Sequence, residues 1–307
     1  MKITVIGAGD VGAAVAQRVA EAGLADVALL DIVAGRAEAR ALDLSSAAAI
    51  TRQPFSLTGT TEYKDIAGSD IVVITAGMVR KPGQSREELL LSNAGIIKSV
   101  SQKIAEYCPE AIIIVVTNPL DAMTYLVYKT TGFSSQRIIG MGGVSDCARF
   151  SMLAATELNT AASDIHTLIM GAHSDSMVVL PRFTTVKGIP LRDLLPEGKI
   201  EQIVKDTCNF GAKIVHLLGA KGSASFGPSA GVYALIEAIA RNRRSILCVS
   251  GYLNGQYTLT NICAGVPAKI GRKGIEEIIE LDLESSEKAQ LLSSAEEIKK
   301  LIQKLGV

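Results

Sequence analysis

The 307-residue chain is short of several features, and each shortage removes a class of answer. Its 31 Lys plus Arg are matched by 31 Asp plus Glu, so no basic surplus points to nucleic acid or to an anionic membrane surface. No apolar run approaches the roughly 18 residues of a membrane-spanning helix. The five cysteines, Cys108, Cys147, Cys208, Cys248 and Cys263, are odd in number, widely spaced and without a CxxC pair. That argues against zinc and against a disulfide framework, and for a reducing compartment. The first residues run straight into a strand pattern and leave no room for a secretory leader, so a cytoplasmic location is expected. No repeat or low-complexity linker interrupts the chain. Histidine is scarce, with only His166, His173 and His216, so imidazole chemistry has three candidates. What remains, 48% hydrophobic and 20% charged, is ordinary for a soluble globular protein of about two domains.

The most informative stretch is Lys2 to Gly23. KITVI is apolar and β-branched, as a buried strand requires. GAGDVG then sets Gly7, Gly9 and Gly12 in the order GxGxxG. An Ala-rich segment follows, with Val11, Val15 and Val19 at helical spacing and Gly23 placed as a helix C-terminus. Strand, glycine turn and helix in that order are the context of a dinucleotide fingerprint. Gly7 allows the tight turn, Gly9 admits a pyrophosphate close to the backbone, and Gly12 lets helix and strand pack closely. The helix N-terminus then offers free N–H groups to phosphate. A second strand, Val27 to Asp31, ends in a carboxylate about 20 residues beyond the glycines, where an acid bonds ribose hydroxyls. A carboxylate there repels the 2′-phosphate of NADP, so NAD is the expected cofactor. Alone, Asp31 reads as a strand-end turn residue; with the fingerprint upstream, the cofactor reading leads.

Further along, Arg36 to Ile50 reads as a helix. Ile71–Thr75 and Ala111–Val116 are continuous apolar runs, as in parallel strands covered on both faces, and Arg137–Gly140 looks like a last strand. Alternation of strands and helices predicts a doubly wound α/β sheet, with ligands beyond the strand ends. The loop after Thr75 carries Arg80, Lys81 and Arg86, with Pro82-Gly83 as hinge points, and Ser85 with Glu88 forms a capping box that starts a helix near Arg86. That loop reads either as a solvated turn or as an anion-binding lid. After Val116 comes Thr117-Asn118-Pro119, where Asn118 can present both a donor and an acceptor. In the second half, a helix from about Ser145 puts Asp146 and Arg149 on one face by i, i+3 spacing. That pair reads as a local salt bridge, or as a carboxylate for a histidine and a guanidinium for a substrate carboxylate. His166 sits within an apolar run and His216 on a helical pattern, so both read as structural. His173, in the loop Gly171-Ala-His-Ser-Asp175 after a strand, is the candidate for proton transfer.

Taken together, GAGDVG, Leu30-Asp31, Thr75-Ala-Gly77, Arg80-Lys-Pro-Gly83 with Arg86, Val116-Thr-Asn-Pro-Leu120, Asp146 with Arg149, and the His173 loop resemble the lactate/malate dehydrogenase superfamily over essentially the whole chain. More narrowly, they resemble bacterial malate dehydrogenases of the lactate-dehydrogenase-like type. The resemblance implies a Rossmann domain at residues 1–142 and an α+β substrate domain at 143–307. It implies NAD held by Gly7, Ala8, Gly9, Asp10, Val11, Gly12, Asp31, Asn93, Val116, Thr117 and Asn118. It makes His173 the proton donor and acceptor, Asp146 its orienting partner, Arg149 the ligand of the substrate's C1 carboxylate, and Arg86 the group that polarises the reacting carbonyl. Asn118 contacts substrate and nicotinamide side together. The resemblance further implies a small dicarboxylate substrate, a reaction of the tricarboxylic acid cycle, and a homodimer or homotetramer.

Arg80 argues against a lactate-specific enzyme or another 2-hydroxyacid dehydrogenase. Lactate-specific members of the family generally carry Gln there, and beside pyruvate Arg80 would be enclosed without a counter-charge. A noncatalytic NAD-binding protein would need none of His173, Asp146, Arg149 or Arg86. Two positions depart from the family pattern: Ser174 follows the histidine where Gly is usual, and Val79 stands where Pro is usual. The pocket wall from the second half is expected near Gly222 to Ser229.

Overall fold

The computed structural model describes residues 1–51, 55–78, 86–219 and 224–306. The first half alternates strands with helices: β1 (Lys2–Ile6), α1 (Asp10–Glu21), β2 (Asp26–Leu30), α2 (Arg36–Thr51), β3 (Leu57–Thr60), β4 (Ile71–Ile74), α3 (Arg86–Tyr107), β5 (Ile112–Val115), α4 (Leu120–Thr131), β6 (Ile138–Gly140) and α5 (Gly143–Leu158). The strands lie in the order β3-β2-β1-β4-β5-β6, all parallel. That is the doubly wound order in which a crevice opens where the connections reverse direction, beside β1 and β4. Alternation along β1 serves both faces of the sheet. Ile3 and Val5 join a core with Val15 and Val19 of α1, and Ile6 joins the opposite core with Leu90 and Ile97 of α3. Each such side chain, removed from water, contributes about 1.5–3 kcal/mol.

The second half continues through five two-residue strands, β7 (Ile165–His166), β8 (Ile169–Met170), β9 (Val178–Val179), β10 (Thr185–Val186) and β11 (Ile189–Pro190). It then forms α6 (Glu197–Leu218), α7 (Phe226–Ala240), β12 (Ser245–Asn254), β13 (Thr260–Gly271), β14 (Gly274–Ile278) and α8 (Ser285–Leu305). Here the structure adds to the expectation of a parallel sheet. β12 pairs antiparallel with β6 at Ser250 and Gly140, so among the described residues the main sheet has nine strands and ends in the antiparallel run β12-β13-β14. The addition covers what would be an open edge on β6, and it carries the sheet past residue 142. It also sets Ser250 beside the end of β6, where the catalytic candidates gather. Phe150, Ile165, Ile169, Ile200 and Ile203 form a third core beneath α5 and α6. Among the described residues, no helix is long and apolar enough to cross a membrane.

Candidate active site

The glycine turn is built as its sequence implies. Gly7 has φ +106°, outside the range of most side chains, and its N–H donates to the Leu30 carbonyl at 2.7 Å. A Cβ on Gly12 would stand 1.8 Å from the Gly7 carbonyl oxygen, so α1 can approach β1 only at a glycine. A Cβ on Gly9 would meet nothing within 4 Å, and Gly9 caps α1 without a side-chain hydrogen bond. The first turn of α1 therefore opens onto free space, as a cradle for a pyrophosphate does. Asp31 lies just beyond β2 and is 7% exposed. Its Oδ2 accepts the Ala8 N–H at 2.8 Å and its Oδ1 the Val33 N–H at 2.9 Å. It is thus a strand-end turn residue, and its remaining lone pairs are still available to hydroxyl donors. Arg36 approaches Asp31 Oδ2 at 3.7 Å from the half-exposed start of α2.

The loops after β4 and β5 are cross-braced. Thr75 Oγ1 donates to the Gly7 carbonyl at 2.9 Å, and Thr117 Oγ1 to the Ala76 carbonyl at 2.6 Å. Asn93, on α3 and 1% exposed, accepts the Met78 N–H at 2.7 Å and donates to the Asn118 carbonyl at 2.8 Å. Asn93 is therefore a brace that fixes both strand-end loops at once. Asn118 is exposed at the end of that brace, and Val116, just past β5, is half-buried.

His173 is reached from the other side. Asp146, in the first turn of α5 and 1% exposed, divides its oxygens: Oδ2 meets His173 Nδ1 at 2.7 Å and Oδ1 accepts Arg149 Nη1 at 2.8 Å. The Asp146–Arg149 spacing thus gives the local ion pair, and Asp146 meets a histidine with its other oxygen. Burial is the largest single influence on the imidazole and works against its charge. The Asp146 charge and hydrogen bond outweigh it together, so His173 titrates above its usual value. The His173 side chain keeps 17% of its surface open. Its loop is anchored along its length. Gly171 exchanges backbone hydrogen bonds with Gly265, at φ +79° and against Ser294, where a Cβ would stand 2.6 Å from Oγ. Ala172 N–H donates to Ser294 Oγ at 2.8 Å, and Ser176 Oγ donates to Glu297 on α8 at 2.7 Å. Ser174, one of the two departures, lies 2.9 Å from Ser176 Oγ and so joins that tether.

Two participants are not found by sequence reading. His173 N–H donates to Asp121 Oδ2 at 2.8 Å, and Ser250 Oγ donates to Asp121 Oδ1 at 2.7 Å. An acid in the first turn of a helix reads locally as an answer to the helix dipole, and nothing near Ser250 in sequence marks it. His166 is exposed on β7 and His216 exposed on α6, so His173 alone of the three joins the cluster. Val79 to Ser85, Arg80 among them, and Gly222 lie outside the described residues, as does the side chain of Arg86, which opens α3.

Matches to known families cover both halves. Residues 1–140 match the family model of the lactate/malate dehydrogenase NAD-binding domain, and 145–306 that of the alpha/beta C-terminal domain. The chain belongs to the lactate/malate dehydrogenase family. A malate dehydrogenase of Methanosarcina acetivorans is 49% identical to this family member over 306 residues, covering 100% of this chain and 99% of that protein. Among solved structures, Cryptosporidium parvum malate dehydrogenase superposes with TM-score 0.97 at 38% identity, covering 99% of this chain and 98% of that one. A lactate dehydrogenase of the same organism, solved with lactic acid and nicotinamide adenine dinucleotide, gives 0.95 at 35% identity with the same coverage.

Proposed function

We infer that this family member is an NAD-dependent malate dehydrogenase that interconverts malate and oxaloacetate. The observation that carries the reading is the pair His173–Asp146 with Arg149 on the second oxygen of the same carboxylate. NAD, when bound along the glycine turn and Asp31, supplies the hydride chemistry. The protein's own residues do the rest. Asp146 holds Nδ1 and fixes the tautomer, which leaves Nε2 to give a proton to the carbonyl oxygen or take it from the malate hydroxyl. Arg149 has five donors in a planar fork, of which Nη1 meets Asp146, and the family resemblance assigns it the C1 carboxylate. Arg86 polarises the carbonyl, Arg80 pairs the distal carboxylate, and Asn118 bridges substrate and nicotinamide. The dinucleotide rests on Gly7, Ala8, Gly9, Asp10, Val11, Gly12, Asp31, Val116 and Thr117, with Asn93 holding the surrounding loops.

On this reading, residues 1–142 are the NAD domain and 143–307 the substrate domain, and the enzyme serves the tricarboxylic acid cycle in the cytoplasm. It acts as a homodimer or homotetramer. Leu42 and Ile50 on α2, and Leu217 on α6, present large apolar side chains to solvent, which agrees with faces covered by further copies. Light scattering at micromolar concentration should give at least a dimer, and a monomer would contradict that part. The function itself is tested by steady-state turnover of NADH with oxaloacetate and with pyruvate. A clear preference in kcat/KM for oxaloacetate is expected; a preference for pyruvate would make the chain a lactate dehydrogenase instead.

A further inference from the structure

Asp121 is the charged group at His173 that the mechanism above leaves without a role. It is 5% exposed, and its two oxygens join three elements, since it sits on α4, His173 follows β8, and Ser250 lies on β12. An asparagine of the same shape could satisfy both neighbours, its oxygen taking the His173 N–H and its amide donating to Ser250 Oγ. What an asparagine would lack is negative charge. Asp121, Asp146, Ser250, Gly142 and His173 line one small, partly open space of about 10 Å³. Both carboxylates are themselves buried, Asp121 at 5% and Asp146 at 1% exposure, so bulk water screens them little from the imidazole.

We propose that Asp121 is a positioning residue for His173, clamping its main chain to α4 and setting a second negative charge, beside that of Asp146, behind the imidazole. The inference rests on His173 as the proton-transfer group. Among the described residues, the charged groups that act on His173 are Asp146 and Arg149 from α5 and Asp121 from α4. Cys263 on β13 also faces Asp121, and burial pushes its thiol well up, so it adds no charge. Burial, with the Asp146 charge, holds the Asp121 carboxyl above its usual value, against the pull of the Ser250 hydroxyl, the His173 N–H and the His173 charge, which favour the carboxylate. In this arrangement Asp121 favours the imidazolium, the form that reduces oxaloacetate.

The test is the pH dependence of kcat for oxaloacetate reduction, per NADH-binding site counted by fluorescence titration. It is run on wild type, Asp121→Asn, Ser250→Ala and His173→Asn. Asp121→Asn should keep NADH affinity within about twofold, lower kcat per site about tenfold, and move the pKa of the profile down by about half a unit to one unit. Ser250→Ala, which removes the hydroxyl that holds the Asp121 carboxylate in place and in its charged form, should lower kcat several-fold with a smaller pKa change. A purely structural Asp121 would reduce the number of NADH-binding sites or the thermal midpoint and leave kcat per site and pKa at wild-type values; that result overturns the proposal. If Asp121→Asn does not fold, Ser250→Ala decides, and wild-type kcat in it overturns the proposal as well. His173→Asn keeps the two readings apart: turnover retained in that variant sinks the proton-transfer assignment itself, whereas its loss beside a wild-type Asp121→Asn sinks only the role of Asp121.

Discussion

The two halves of the crevice are made of different material. On the side of the glycine turn, where the proposed function puts the cofactor, the groups on offer are mostly backbone: the turn at Gly7, the uncapped start of α1 at Gly9, and an Asp31 whose oxygens already accept two N–H groups. On the substrate side they are side chains, and each depends on another, with His173 on Asp146, Asp146 shared with Arg149, and His173 on Asp121. Backbone sites tolerate changes in side-chain chemistry and fail when geometry changes. Side-chain sites fail when a single functional group is replaced. Substitutions in the two halves should therefore separate into effects on cofactor binding and effects on turnover.

The largest expected effect lies on the side-chain side. His173→Asn should lower kcat by about 10²–10⁴-fold, the usual contribution of general acid–base catalysis, with NADH affinity by fluorescence titration nearly unchanged. Weakened NADH binding of similar size would break the division. Next comes Arg80→Gln, which should reduce kcat/KM for oxaloacetate by about 2–5 kcal/mol in activation free energy and raise relative use of pyruvate. An unchanged oxaloacetate-to-pyruvate ratio would remove Arg80 as selector. Arg86→Gln should instead depress both substrates together, because it serves the carbonyl they share. On the backbone side, Gly12→Ala forces α1 away from Gly7. It should cost about 1–3 kcal/mol of stability, as overpacking does, and weaken NADH binding with kcat at saturating NADH retained. The smallest effect is that of Asp31→Ser. With Arg36 left beside the ribose site, it should narrow the preference for NADH over NADPH by about tenfold, the loss of one charge interaction. Equal use of the two cofactors by the unaltered protein would refute the role of Asp31.

The same contrast decides what can be read from the sequence. GAGDVG, Asp31 and the strand ends at Thr75 and Val116 announce themselves because their physics is local: a glycine at positive φ, a carboxylate one strand further on, an apolar run bounded by turns. Asp146 and Arg149 are legible as an i, i+3 pair, and His173 because the other two histidines fall on a strand and a helix. The helix placed from about Ser145 starts two residues earlier, at Gly143. Asp121 is not legible, because its partners stand 52 and 129 residues away. Nor is the antiparallel extension of the sheet, since β12 finds β6 across a stretch that holds α5, α6 and α7. Asn93 is legible by resemblance as a residue near the cofactor, but its bracing of Met78 and Asn118 needs the fold to be seen.

The account turns on an imidazole held above its usual pKa by Asp146 and charged when it meets the carbonyl. A raised value means that the protonated form persists to higher pH. Oxaloacetate reduction, which consumes the imidazolium, should hold through neutral pH and fall as pH rises through that value. Malate oxidation, which needs neutral His173, should rise through the same range. The most direct measurement is kcat/KM against pH in both directions, since that ratio reports the free enzyme's groups. Mirror-image profiles sharing one pKa above the ordinary histidine value of about 6.5 are predicted. Profiles that move together with pH, or that share a pKa below that value, would contradict the proton-transfer role of the His173–Asp146 pair.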